Sequence, residues 1–102
     1  MGVYHVEHIY FVMAPLMAKI DQCAQATPSA DFNQGSEVLT LMTSFTVAVD
    51  GRGSVTAIGH PTDSYSHTFD GCVKPVLTAA SWGRPLKPGT FILSPATRRK
   101  AH

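Results

Sequence analysis

Two runs of β-branched and apolar residues, separated by a glycine-rich turn, constrain this chain more than any other feature. The runs lie within residues 43–59, and the turn between them is Asp50-Gly51-Arg52-Gly53. An Asp-Gly pair between alternating apolar residues is a strong signal for a β-hairpin. We therefore expect the chain to build its core around an antiparallel hairpin.

The first strand of this hairpin carries an apolar residue at nearly every second position. Its apolar residues are Leu39, Leu41, Phe45, Val47 and Val49. A period of two is typical of a strand with one buried face and one wetter face. The pattern predicts a long strand over residues 37–49 and a return strand over residues 54–59.

Two helical patterns flank the hairpin. The first has an apolar stripe made of Val6, Ile9, Tyr10, Met13, Leu16, Met17, Ile20, Cys23 and Ala24. Pro15 interrupts it and predicts a kink, or a new helix start near Ala14. The second has a stripe made of Phe69, Cys72, Val73, Val76, Leu77 and Ala80. Ser66 or Thr68 is its expected N-cap, and Pro75 predicts that it is short or bent.

A short final strand is expected over residues 90–94, after a turn at Lys87-Pro88-Gly89. The predicted fold class is α+β, with the order α-β-β-α-β and a three-stranded antiparallel sheet that carries two helices on one face. Residues 1–102 form one domain, with a core over about 6–95 and a solvated basic tail over 96–102. The final strand is the short apolar edge that a partner strand could extend.

Composition narrows the classes of partner. The formal net charge is +1 and charged residues make up 15% of the chain, which gives no reason to expect a nucleic-acid partner. We predict no membrane span in this chain, because no stretch approaches about 20 apolar residues. No signal peptide or lipid anchor is visible at the N-terminus.

The ordered set of motifs resembles the TonB C-terminal domain, and more closely the C-terminal domain of the AgmX/PglI gliding-motility proteins. The similarity begins with a first helix that ends in Cys23, followed by the strand SFTVAVDG over residues 44–51. A second helix opens with Cys72-Val73 and runs to Trp82, and prolines then precede the last strand. The resemblance covers residues 6–95.

The resemblance implies a non-enzymatic module without cofactors in the periplasm or cell envelope. Relatives of this kind belong to energy-transduction, transport or gliding-motility assemblies, where they bind an outer-membrane or motor component, often by strand addition. It also implies a disulfide between Cys23 and Cys72; two buried free thiols are the alternative. We predict that Phe91, Ile92, Leu93 and Trp82 bind the partner.

Two other hypotheses stay open. In the first, the same strand edge or the first helix makes a homo-oligomer, and the chain is a self-assembling structural subunit. In the second, the chain is a small thiol- or metal-dependent protein. A Cys72 thiolate would then use His67 and Asp70, or a metal ion would bind His5, Glu7 and His8 with His60 or His67. We predict neither a catalytic residue nor a metal ligand.

Overall fold

The protein is a small α+β domain with a three-stranded antiparallel sheet. Its computed structural model describes residues 2–33, 37–60 and 66–100. The helices are α1 (Val6–Met13), α2 (Met17–Gln25) and α3 (His67–Ala79). The strands are β1 (Val38–Met42), β2 (Phe45–Val49), β3 (Val55–Gly59), β4 (Gly89–Leu93) and β5 (Ala96–Lys100).

The first helical segment is broken where proline predicts a break. Residues Ala14–Leu16 form a single 3-10 turn between α1 and α2, with Pro15 inside it. Proline lacks the N–H that an α-helix interior requires, so a tighter turn replaces the regular helix there. The helix is thus interrupted where Pro15 predicts, and the next α-helix starts at Met17, three residues after Ala14.

The long first strand of the prediction is two strands separated by Thr43 and Ser44. Both halves keep one register against the C-terminal strands, from Val49↔Gly89 in β2 to Met42↔Ala96 in β1. The segments 38–49 and 89–100 therefore form one antiparallel ribbon that is interrupted in the middle. β3 and β4 flank β2 in the three-stranded sheet, and β1 pairs with β5 in a two-stranded sheet.

The basic C-terminal segment differs from the predicted solvated tail. Residues Ala96–Lys100 form β5, and Thr97 within it is only 2% exposed. β5 forms because its backbone pairs with β1, and its own composition does not favour a strand. The charged sequence Arg98-Arg99-Lys100 therefore gave no indication of it. Residues 101–102 of the predicted tail lie outside the described part.

The hairpin turn is held by the Asp50 side chain. Asp50 Oδ1 accepts hydrogen bonds from the backbone N–H groups of Arg52 (2.9 Å) and Ser54 (3.0 Å). These bonds, first the one from Arg52, lower the pKa of the Asp50 carboxyl because they favour its charged form. Gly53 adopts a φ of 86°, which suits glycine in this turn.

One apolar core joins strands and helices. The buried side chains of β2 (Phe45, Val47 and Val49) cluster with those of α2 (Ile20, Cys23 and Ala24) and α3 (Phe69, Val73 and Leu77). α3 begins at the predicted cap, where Ser66 Oγ accepts a hydrogen bond from Phe69 N. It continues through Pro75 to Ala79, so it is longer than predicted.

Candidate partner-binding edge

β4 is an edge strand of the three-stranded sheet. Within the described residues it pairs with β2 along its full length, from Phe45↔Leu93 to Val49↔Gly89. The sheet order β3-β2-β4 places no described strand on its other side. An edge strand presents a row of backbone donors and acceptors to its surroundings.

The hydrogen bonds on the far side of β1 and β2 show which backbone groups of β4 point outward. Thr40 exchanges backbone bonds with Asn33, Ser44 O accepts from His60 Nδ1, and Ala48 O accepts from Thr56 Oγ1. These even-numbered residues therefore turn their backbone groups away from β4 and β5. Backbone groups alternate sides along a strand, so the odd-numbered residues face β4 and β5.

The register carries this alternation onto β4. Val47 lies opposite Phe91, and Phe45 lies opposite Leu93, so both pairs consist of odd-numbered residues. The backbone groups of Phe91 and Leu93 thus bond to β2. Those of Thr90 and Ile92 point to the open side of the strand, where a further strand would pair.

A groove runs beside this open side, between β4 and the first helical segment. Its volume is about 720 Å³, which lies within the range of ordinary ligand-binding clefts. Most of its lining is apolar, and it consists of Val6, Ile9, Tyr10, Met13, Ala14, Met17, Ile92, Leu93, Ser94, Pro95 and Ala96. We call it the edge groove.

Several large apolar side chains along the edge groove are exposed. Tyr10 is 70% exposed, Val6 60% and Ile92 59%. Phe11, next to Tyr10, is 77% exposed and lies toward Pro15 and Ala80. Single exposed apolar residues are ordinary, but a contiguous set beside an open strand is typical of a protein-interaction surface.

The four predicted partner-binding residues lie in different environments. Ile92 is exposed on β4, whereas Trp82 is 0% exposed and Phe91 and Leu93 are buried. Trp82 Nε1 donates to Leu77 O at 3.2 Å, and the Trp82 ring packs on Phe91. In this structure the buried three therefore stabilise the core, and Ile92 with the β4 backbone forms the accessible part of the predicted site.

The N-terminal segment fastens the chain around Trp82. Tyr4 Oη donates to Gly83 O at 2.6 Å, and His8 Nε2 donates to the Trp82 carbonyl oxygen. Tyr4 also packs edge-on against Phe91. These contacts hold α1 beside the sheet, and so they position one wall of the edge groove.

Cys23 and Cys72 are joined by a disulfide in the structure. The S–S distance is 2.07 Å and the two Cα atoms lie 5.6 Å apart, which is ordinary for a disulfide. The bond links α2 to α3, as the resemblance predicts. A bonded Cys72 provides no thiolate, so the thiol hypothesis has no nucleophile in this state.

The histidines named in the metal hypothesis do not converge in the described part of the chain. No group of three or more His, Cys, Asp or Glu residues that could hold a metal ion occurs there. His8 bonds to Trp82, and His60 lies against Asp70 at 3.3 Å.

Among the described residues, none of the helices has the length and apolar character that a membrane span requires.

Comparisons with protein-family models, curated proteins and solved structures found no match for this chain. The resemblance to TonB-like domains therefore stays a prediction from the motifs.

The sequence predicts the first helix only as a self-assembly surface, whereas in the structure α1 forms one wall of the edge groove. The run Ile9-Tyr10-Phe11-Val12-Met13 has no charged residue, so it is apolar around more than one face of the helix. A helix that packs on one side only needs a single stripe. This excess was the signal for an exposed apolar wall.

Proposed function

We propose that the chain is a non-enzymatic protein-interaction module that binds an extended segment of a partner by strand addition to β4. The observation that carries this proposal is the open side of β4, to which the register turns the backbone groups of Thr90 and Ile92 and which borders the edge groove at Ile92. In strand addition, backbone hydrogen bonds supply affinity and side-chain pockets supply specificity.

The edge groove indicates the chemistry of the partner segment. A strand paired with β4 turns alternate side chains to opposite faces of the sheet. Side chains on one face would meet Val6, Tyr10 and Met13, which favours apolar residues at every second position of the partner. The remaining positions face solvent and are expected to be polar.

A cell-envelope location, with a role in energy transduction, transport or gliding motility, is the finer part of the proposal. It is supported by the resemblance to TonB-like domains. It is also supported by the Cys23–Cys72 disulfide, because stable disulfides are characteristic of oxidising compartments such as the periplasm. The expected partner is an outer-membrane or motor component.

The test begins with a display library of random ten-residue peptides selected on the disulfide-bonded protein. Binding of the selected peptides is then measured for the wild type and for Ile92→Pro. Proline at this position removes an outward N–H and leaves the N–H groups that bond to β2 in place. We expect Ile92→Pro to abolish binding while circular dichroism remains close to that of the wild type.

Ile92→Thr is the matched control. It keeps the outward N–H and a β-branched side chain, so the backbone pairing is retained. We expect at most a modest loss of affinity. Equal loss in both variants would show that the Ile92 side chain dominates, and full binding by Ile92→Pro would contradict strand addition.

A self-assembling subunit is the second candidate, because Val6, Tyr10 and Phe11 are all more than half exposed. A second copy could cover this surface. Sedimentation velocity over a hundredfold concentration range separates the two candidates. A constant monomer favours the adaptor, whereas an oligomer that Ile92→Pro dissociates favours self-pairing along β4.

A further inference from the structure

A partly buried histidine and a buried aspartate face each other at the junction of β3 and α3. His60 follows β3, Asp70 lies in the first turn of α3, and His60 Nε2 is 3.3 Å from Asp70 Oδ2. Their side chains are 14% and 5% exposed. The contact is close enough for an ion pair, but neither atom makes a well-aligned hydrogen bond within the described part of the chain.

The second nitrogen of the imidazole fixes the tautomer of His60. His60 Nδ1 lies 2.9 Å from Ser44 O. A carbonyl oxygen only accepts hydrogen bonds, so Nδ1 carries a proton. In a neutral imidazole, Nε2 then presents a lone pair to the Asp70 carboxyl.

This arrangement conflicts with a neutral His60 beside an ionised Asp70. Two acceptors would face each other in a buried site, where unsatisfied polar groups are costly. One proton between Nε2 and Oδ2 removes the conflict. It does so either as imidazolium with carboxylate or as imidazole with carboxylic acid.

We propose that His60 and Asp70 form a single buried proton-binding site that ties the end of β3 to α3. The pair takes up and releases the shared proton as a unit. Through Nδ1 the same imidazole holds Ser44, in the break between β1 and β2, and Ser44 Oγ lies 2.8 Å from Ser94 Oγ. The site therefore supports the middle of the ribbon that borders the edge groove.

The surrounding charges act in both directions. Burial raises the pKa of Asp70, and this effect outweighs the positive charges of His60, Lys74 and His67, which lower it. Asp31 is a further acidic residue beside the start of α3, where its Oδ2 accepts a hydrogen bond from the Ser66 hydroxyl at 2.8 Å. From β2, the Phe45 ring packs on the imidazole and contributes no charge.

The direction of the pH dependence follows from the raised pKa of Asp70. Above about pH 3.9, the ordinary pKa of an unfolded aspartate, the unfolded wild type carries no more protons than an unfolded variant with asparagine at residue 70, because in both chains only the histidine still binds one. The folded wild type holds the shared proton, which such a variant lacks. The site therefore stabilises the fold at low pH. Relative to such a variant, this stabilisation is lost as the pH rises from about 4 until the folded pair releases the shared proton.

The test compares urea unfolding of the wild type and Asp70→Asn from pH 4.5 to 9, with the disulfide intact. The side-chain amide of this variant donates an N–H to Nε2 without an extra proton, so the variant keeps the contact throughout. We expect the unfolding constant of the wild type, divided by that of the variant, to increase with pH by up to tenfold per unit. A ratio that is flat or decreases with pH would overturn the proposal.

Asp21→Asn is the matched control, because Asp21 is an exposed aspartate on α2. The unfolding constant of the wild type divided by that of Asp21→Asn is expected to stay constant over the same pH range. A second measurement needs no variant: nitrogen-15 NMR of the His60 imidazole in the wild type. We expect Nδ1 to stay protonated when the shared proton leaves, and a neutral His60 with its proton on Nε2 would overturn the proposal.

Discussion

At the scale of the residue, Arg99 joins parts of the chain that are far apart in sequence. Its guanidinium donates to Ala24 O (3.0 Å), Gln25 O (3.2 Å) and Thr27 O (2.8 Å), at the C-terminal end of α2. It also lies 4.4 Å from the centre of the Phe32 ring. A cation is favoured at a helix C-terminus, and the planar fork of arginine serves several carbonyls at once.

Replacing Arg99 with lysine is expected to lower the free energy of unfolding by about 1–3 kcal/mol, because one ammonium cannot reproduce these bonds and the ring contact. Urea unfolding followed by circular dichroism measures the loss. Arg98→Lys is the control, since Arg98 is exposed on the same strand, and it is expected to change stability by less than about 0.5 kcal/mol. Equal effects would contradict the role of Arg99.

At the scale of the element, the hairpin turn touches the loop after α3 too closely for a side chain. A Cβ atom at Gly53 would lie 1.9 Å from Gly83 O, and Gly53 has a φ of 86°. Both the clash and the backbone conformation exclude other residues. We expect Gly53→Ala to destabilise the protein by at least about 2 kcal/mol, as measured by thermal and urea unfolding.

Gly71 provides the opposite case within α3. A Cβ atom there meets no atom of the described residues within 4 Å, and glycine lowers the stability of a helix interior. Gly71→Ala is therefore expected to raise the free energy of unfolding by about 0.5–1 kcal/mol. If both glycine variants changed the free energy of unfolding by a similar amount, the close contact between Gly53 and Gly83 would be contradicted.

At the scale of the whole molecule, the disulfide closes a large part of the chain. Cys23 and Cys72 are 49 residues apart, and the loop between them contains β1, β2 and β3. In the chain-entropy model, a loop of this length stabilises the fold by about 4 kcal/mol. The double variant Cys23→Ser/Cys72→Ser is expected to lose about that amount, as measured by urea unfolding without reductant.

A thiol count under denaturing conditions provides the control for the disulfide. Protein from its native compartment is expected to show no free thiols before reduction and two afterwards. The wild type treated with reductant should then match the double variant in stability. Two free thiols before reduction would remove a main support for the cell-envelope location.

Local patterns in the sequence predicted the local parts of this fold. The alternation in residues 45–49, the break at Pro15 and the Ser66 cap each depend on nearby residues, and the structure contains all three. β5 depends on pairing with β1, more than fifty residues earlier, and its charged sequence gives no strand signal. Long-range pairing therefore accounts for the error in the predicted tail.

The candidate site was predicted only in part, again because some of its contacts join distant segments of the chain. The sequence indicated an apolar edge at residues 90–94, and the structure gives β4 an open side. Sequence alternation did not reveal that Phe91 would be covered by Tyr4 and Trp82, because these residues come from distant segments. The contact between His60 and Asp70 is likewise formed only by the packing of α3 against β3.

Amide hydrogen exchange of β4 tests the central claim most directly. In the free monomer we predict rapid exchange at Thr90 and Ile92 and slow exchange at Phe91 and Leu93, because only the latter N–H groups bond to β2. When a selected peptide binds, Thr90 and Ile92 should become protected while Phe91 and Leu93 change little. Slow exchange at all four positions in the free monomer, or no added protection in the complex, would contradict strand addition at this edge.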